Sequence, residues 1–206
     1  MIKRKALDTK ILEKKLKGKN VFAIGAGPSL EENVKLLKKN SSYVKVVADG
    51  AVQALLENKI KPDIVVTDLD GSPAALQKAA KMGATMVVHA HGDNMDMLRK
   101  LVPKFKKLVG TTQVMPLENV YNFGGFTDGD RCVFLAEEFG AKKIVLVGMD
   151  FGAEIGRYSK DEVKDPELKK RKMQAGKKLL EMLARQSRSQ LFDTNKKKPV
   201  KGFSPL

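Results

Sequence analysis

The strand-like segments of this chain are apolar without alternating. Residues 21–24, 44–48, 64–67, 85–88 and 143–147 are short runs in which consecutive positions, rather than every second one, are mostly hydrophobic. A strand of this kind has both faces covered, as in a parallel sheet packed between helices. Between the runs lie segments with helical spacing, such as 95–102 and the stretch ending at Phe139. Pro, Gly and Asp punctuate each change of element.

This order predicts an α/β chain with a Rossmann-like, open, mostly parallel sheet flanked by helices. A single catalytic domain is expected over 1–192. An N-terminal helix within 1–18 carries Leu7, Ile11, Leu12 and Leu16 at helical spacing. A C-terminal helix is expected over 160–190, started by the N-cap pair Asp165-Pro166, with Gly176, Leu179, Leu180 and Leu183 sharing one face. Further short strands are expected at 108–110 and 113–115, and residues 193–206 read as a mobile basic tail.

The chain has 206 residues and a net charge of +15. Its lysines gather near the two ends, while the middle, where the glycines and aspartates lie, is not basic. That distribution suits a solvated Lys-rich surface, or a field that attracts a polyanion such as ATP. With no tryptophan and no recognisable motif for nucleic acid, none is expected as a partner. No apolar run approaches the roughly 20 residues of a membrane helix, and no signal-peptide core follows the charged start. The lone Cys132 excludes an intrachain disulfide and fits a reducing, cytoplasmic setting. The oligomeric state is not fixed, and a homo-oligomer is left open.

Ligands of open α/β sheets bind beyond the carboxyl ends of the strands. Those ends carry Gly25-Ala26-Gly27-Pro28-Ser29, Asp49-Gly50, Asp68-Leu69-Asp70, His91-Gly92-Asp93 and Gly148-Met149-Asp150. Carboxylates gathered on one edge repel each other unless a divalent cation sits among them. Asp68 and Asp70, alternate residues just past a strand, are the strongest pair, and oxygen donors without a His/Cys cluster suggest magnesium. The same loop could instead supply turn formers and a cap for Pro73. Asp93 and Asp96 share a helix face. Beside Asp68 and Asp70 they are expected to belong to the site, although an N-cap and a first-turn acid would look the same. His91 is expected to contact phosphate or carry a proton, and His89 to lie in the core or behind the site.

The turn holding Gly25, Gly27 and Ser29 allows close approach of a ligand to backbone, and a helix N-terminus attracts phosphate. Asp49 and Gly50 stand near the place of a ribose-binding acid, but Leu30 replaces the third glycine of a dinucleotide fingerprint. Thr127, Asp128 and Arg131, in a Gly-rich segment before a helix, suit phosphate or ring recognition. An ordinary capped helix start is the competing reading.

Ala48-Asp49-Gly50-Ala51 and Pro62-Asp63 through Thr67-Asp68-Leu69-Asp70-Gly71 look like thiamine pyrophosphokinase motifs, with Asp93 and Asp96 echoing a later one. Thr67 and Gly71 depart from that family's Gly and Ser, and its thiamine-binding β-domain is absent. Six segments in order are similar to the archaeal 6-hydroxymethyl-7,8-dihydropterin pyrophosphokinase family: 25–30, 48–51, 67–71, 89–94, 125–131 and 148–151. The resemblance spans nearly the whole chain. It implies an ATP-dependent diphosphotransferase of folate or tetrahydromethanopterin synthesis that makes AMP and the pterin diphosphate. It also implies magnesium on Asp68, Asp70 and Asp93, catalysis with Asp93 and Asp96 as ligand or base, and substrate contacts from Gly25, Gly27, Ser29, Asp49, Gly50, Thr127, Asp128, Arg131 and Asp150. The rival readings are a thiamine-type pyrophosphokinase, a nucleotide-dependent oxidoreductase, a nucleic-acid-binding module and a glycosyltransferase-like protein.

Overall fold

The computed structural model describes residues 2–152, 157–158 and 165–206. Its strands are β1 (Asn20–Ile24), β2 (Val44–Ala48), β3 (Ile64–Thr67), β4 (Thr85–His89), β5 (Leu108–Thr111), β6 (Val120–Tyr121), β7 (Lys143–Val147), β8 (Gln190–Asp193) and β9 (Ser204–Pro205). They form one sheet in the order β6-β5-β4-β3-β2-β1-β7-β8-β9. Every neighbouring pair is parallel. From β1 the strands step outward to β6, and the chain then returns to β7 on the other side of β1.

The helices are α1 (Ile2–Lys5), α2 (Lys10–Leu16), α3 (Val34–Lys39), α4 (Val52–Glu57), α5 (Pro73–Lys81), α6 (Met95–Leu101), α7 (Asp128–Glu138) and α8 (Pro166–Ala184). Phe22, Ile24, Val47, Val65 and Met86 point to one face and pack with Leu37, Leu55, Leu76 and Leu101 of α3 to α6. Val21, Ala23, Val46, Ile64 and Val87 point to the other and pack with residues of α2, α7 and α8, among them Leu12, Leu135 and Leu180. Two covered faces are why the strands lack alternation.

Three expectations are corrected. The single N-terminal helix is two short ones, because Ile2 belongs to one face's core and Leu12 and Leu16 to the other's. No straight helix can serve both, and the chain bends between them, where Leu7 N–H donates to Leu108 O at 2.7 Å. Residues 113–115 are no strand, and Val114 and Met115 are exposed. The tail read as mobile begins at the last residue of β8 and supplies β9, buries Val200 and Phe203, and turns on Asp193, whose carboxylate accepts from the backbones of Asn195 and Val200. Charge in 196–198 masked two apolar anchors that sit on either side of a turn.

The long C-terminal helix starts at Pro166, capped by Asp165, which accepts from Leu168 N–H at 2.9 Å. Residues 160–164, where its start was expected, lie outside the described residues. Gly176 lets α8 press on the start of α7, where a β-carbon would meet Asp130 Oδ1 at 2.8 Å. Among the described residues no helix is long and apolar enough to cross a membrane.

Candidate active site at the ends of β2 and β3

β3 ends at Thr67, whose buried hydroxyl accepts from Leu69 N–H at 2.7 Å and donates to Asp49 Oδ2. Leu69 has φ 70°. That left-handed conformation costs roughly 1–2 kcal/mol for a residue with a β-carbon. Full burial of the Leu69 side chain, at 0% exposure, offsets it by about 1.5–3 kcal/mol. The leucine is thus an anchor around which Asp68 and Asp70 are held, with Asp70 N–H donating to Asp68 Oδ1 at 3.3 Å. Asn94 ties this turn to β4: its Nδ2 donates to Asp68 O and His89 O, each at 2.7 Å, and its Oδ1 accepts from His91 N–H at 3.1 Å. Asn94 escaped the sequence reasoning, which passed over it within the His-x-His-Gly-Asp-Asn segment because an amide's importance depends on partners from other strands.

Asp49 enters from the end of β2 and is buried. It accepts from Thr67 and, at 3.2 Å, from Gly71 N–H. Asp128 enters from the opposite layer, on the first turn of α7, which packs across β1, β2 and β3. Asp49, Asp68, Asp70 and Asp128 each place a carboxylate oxygen within 4.8 Å of the others. Burial, and then the charges of Asp68 and Asp49, push the Asp128 carboxyl well above the usual carboxylate range. Its Oδ1 is buried and accepts no hydrogen bond among the described residues. A hard divalent cation would offset the repulsion among these carboxylates and coordinate that oxygen, and all-oxygen donors suit magnesium or a similar ion.

The other expected site residues separate into several groups. His91 stands at the rim, Nε2 3.8 Å from Asp68 Oδ2 and Nδ1 4.0 Å from Asp93 Oδ2. Asp93 and Asp96 are not brought into the cluster: their side chains are 100% and 95% exposed. Asp96 pairs instead with Arg99 at 3.0 Å. The turn at 92–94 and the start of α6 face them to solvent, so their spacing reflects a helix start. Asp128, expected as a substrate contact, stands where Asp93 was expected.

Gly25, Gly27, Ser29 and Asp150 interlock at the ends of β1 and β7. Asp150 Oδ2 accepts from Ser29 N–H at 2.9 Å and from Ser29 Oγ at 2.8 Å. A β-carbon on Gly27 would lie 2.3 Å from that oxygen. The chain's own carboxylate therefore occupies the turn where a ligand phosphate was expected. Gly50 packs against Ala26 and the Tyr158 carbonyl, each 3.1 Å from where a β-carbon would stand. Thr127 is the N-cap of α7, in a capping box with the buried Asp130.

Arg131, one turn into α7, reaches back toward the cluster with Nη1 3.7 Å from Asp128 Oδ1. His89 lies behind it, buried at the end of β4. The two help to line a small cavity with Val66, Val87, Thr111 and Phe123.

A family model described as 6-hydroxymethylpterin diphosphokinase MptE-like matches residues 2–156. The chain is 51% identical over 179 residues to the 6-hydroxymethyl-7,8-dihydropterin pyrophosphokinase of Pyrococcus furiosus, covering 84% of this chain and 75% of that one. It is 46% identical over 182 residues to the protein of the same name from Methanocaldococcus jannaschii, covering 82% and 76%. To that from Methanothermobacter thermautotrophicus it is 46% identical over 171 residues, covering 80% and 73%. Among solved structures, the MAf glycosyltransferase from Magnetospirillum magneticum AMB-1 superposes with a TM-score of 0.65 at 16% identity. That match takes in 100% of this chain but 38% of the other, and at such identity it speaks for the fold alone.

Proposed function

This chain belongs to the 6-hydroxymethylpterin diphosphokinase MptE-like family, and on that premise we propose that it transfers diphosphate from ATP to the hydroxymethyl group of 6-hydroxymethyl-7,8-dihydropterin and releases AMP. The observation that carries the reading is the convergence of Asp49, Asp68, Asp70 and Asp128 from three strand and helix ends on one point.

These four carboxylates would hold magnesium, which would neutralise phosphate charge and align the reacting groups. Thr67 and the Gly71 N–H orient Asp49, and Asn94 fixes the Asp68 backbone, so the donors stand ready before substrate arrives. The pterin hydroxyl oxygen bonds to the β-phosphorus as the bridging oxygen between the α- and β-phosphorus leaves with AMP. The hydroxyl proton passes to His91, the imidazole at the rim of the cluster. We place the reaction in the cytoplasm, where a lone buried thiol such as Cys132 stays reduced.

The test is an AMP-release assay with magnesium, ATP and the hydroxymethyl dihydropterin. AMP formed only when the pterin is present supports the reading. ADP as the product would reveal a simple kinase, and AMP release with thiamine but not pterin would reassign the acceptor.

A further inference from the structure

Arg131 is held by a neutral partner. A guanidinium has only donors, so His89 Nε2, 3.1 Å from Arg131 Nη2, must accept. A neutral ring that accepts at Nε2 carries its proton on Nδ1, which lies 3.2 Å from Thr111 Oγ1. Gln113 is a second hydrogen-bonding neighbour. Burial first, then the charge of Arg131, lowers the His89 pKa to about 4, which keeps the ring neutral in the cell.

The guanidinium is also enclosed. Its side chain is 10% exposed, and Gly125, at φ 81°, folds against its stem so closely that a β-carbon would lie 2.7 Å from Arg131 Cγ. Its nearest carboxylate, Asp128, belongs to the cation cluster. A carboxylate behind the arginine would fix its direction but discharge it. A neutral imidazole fixes the direction and leaves the positive charge intact. Arg131 Nη1 is paired at 3.7 Å with Asp128 on the cluster side, so a divalent cation that claims this carboxylate would leave a planar, charged fork at the edge of the site, which matches the paired oxygens of a diphosphate.

We propose that Arg131 grips the diphosphate group in transit and that His89, its ring held at Nδ1 by Thr111, is the positioning residue that aims it. This rests on the diphosphotransferase reading above, and it assigns Arg131 to phosphate rather than to the pterin ring.

The experiment titrates inorganic pyrophosphate into the magnesium-loaded protein by calorimetry and measures pterin-dependent AMP release in parallel. Arg131→Ala is expected to weaken pyrophosphate binding roughly 10- to 100-fold. His89→Leu should lose a comparable share, and His89→Gln, which retains an acceptor, should recover most of it. The double variant His89→Leu/Arg131→Ala should bind no more weakly than Arg131→Ala alone, because His89 acts only through the arginine. The turnover number should fall in the same order while KM for the pterin holds.

Wild-type affinity in His89→Leu, or losses that multiply in the double variant, would overturn the proposal. So would a wild-type protein that does not bind pyrophosphate. If His89→Leu does not fold, Thr111→Val in the wild-type and Arg131→Ala backgrounds decides by the same comparison. Pyrophosphate binding that follows this series in a protein releasing no AMP with the pterin would remove the substrate assignment and leave the Arg131–His89 pair standing.

Discussion

A β-carbon on Gly71 would fall 1.9 Å from Asp49 Oδ1, while the Gly71 N–H donates to Asp49 Oδ2 at 3.2 Å. The turn after β3 is thus folded directly onto the carboxylate delivered by β2. Gly71→Ala must displace either the turn or the acid. We expect metal-dependent turnover to fall at least about tenfold, with overpacking costing roughly 1–3 kcal/mol of stability. AMP-release kinetics alongside thermal melting check this, and a wild-type turnover number would contradict it.

Asp68→Asn and Asp70→Asn remove negative charge from the rim of the cluster without opening a cavity. Each should reduce turnover by roughly 100-fold or more while the circular dichroism spectrum is unchanged. Asp93→Asn and Asp96→Asn, which alter only solvent-facing carboxylates, should retain near-normal kinetics. The reverse pattern would move the metal site to the β4 loop.

Asp128 sits in its position at a cost in the metal-free protein, because burial and two neighbouring acids disfavour its charged form. An acid whose folded pKa is raised loses stability above its unfolded pKa and recovers it as pH falls. Asp128→Asn should therefore melt higher than the wild type without metal at neutral pH. The gain is expected to be about 2–4 °C for each kcal/mol relieved, narrowing as pH falls. Magnesium should raise the melting temperature of the wild type more than that of the variant. Melting curves in chelator and in magnesium measure both effects.

His89 imposes the opposite pH dependence. Its pKa is about 4 in the folded chain against an ordinary 6.5, so between these values the unfolded chain binds a proton that the folded chain does not. Stability is full above pH 6.5 and is lost as pH falls toward 4, by about 2 kcal/mol once solvent screening is allowed for. Denaturant titrations across this window should show a flatter profile in His89→Gln than in the wild type.

Phe203, just before β9, is buried at 5% exposure in the same core cluster as Val200 and Leu191 of β8. Phe203→Ala should cost about 3–5 kcal/mol, measured by chemical denaturation. A loss below about 1 kcal/mol would mean that the C-terminal strand contributes little to the fold.

The places of β1, β2, β3, β4 and β7 were legible because a doubly covered strand must be hydrophobic at consecutive positions, a property each segment carries within itself. The same holds for the Asp165 cap and for the Asp68-Leu69-Asp70 turn, whose chemistry is local. β9 and the turn that leads to it were not legible, since Val200 and Phe203 are isolated apolar residues in a basic stretch and acquire meaning only against the core already formed.

By itself the sequence determined that an α/β sheet would present acids and glycines along one edge, and its ordered motifs pointed to the family. Which acids meet was decided by the tertiary structure. Asp93 and Asp96 share a helix face yet look to solvent, while Asp49, Asp68, Asp70 and Asp128, up to 79 positions apart in the chain, share one pocket of charge. The reason is direction: spacing along a strand or helix says which side chains lie together on one element, but only the packing of α7 over β1, β2 and β3 says which elements aim their side chains at the same point.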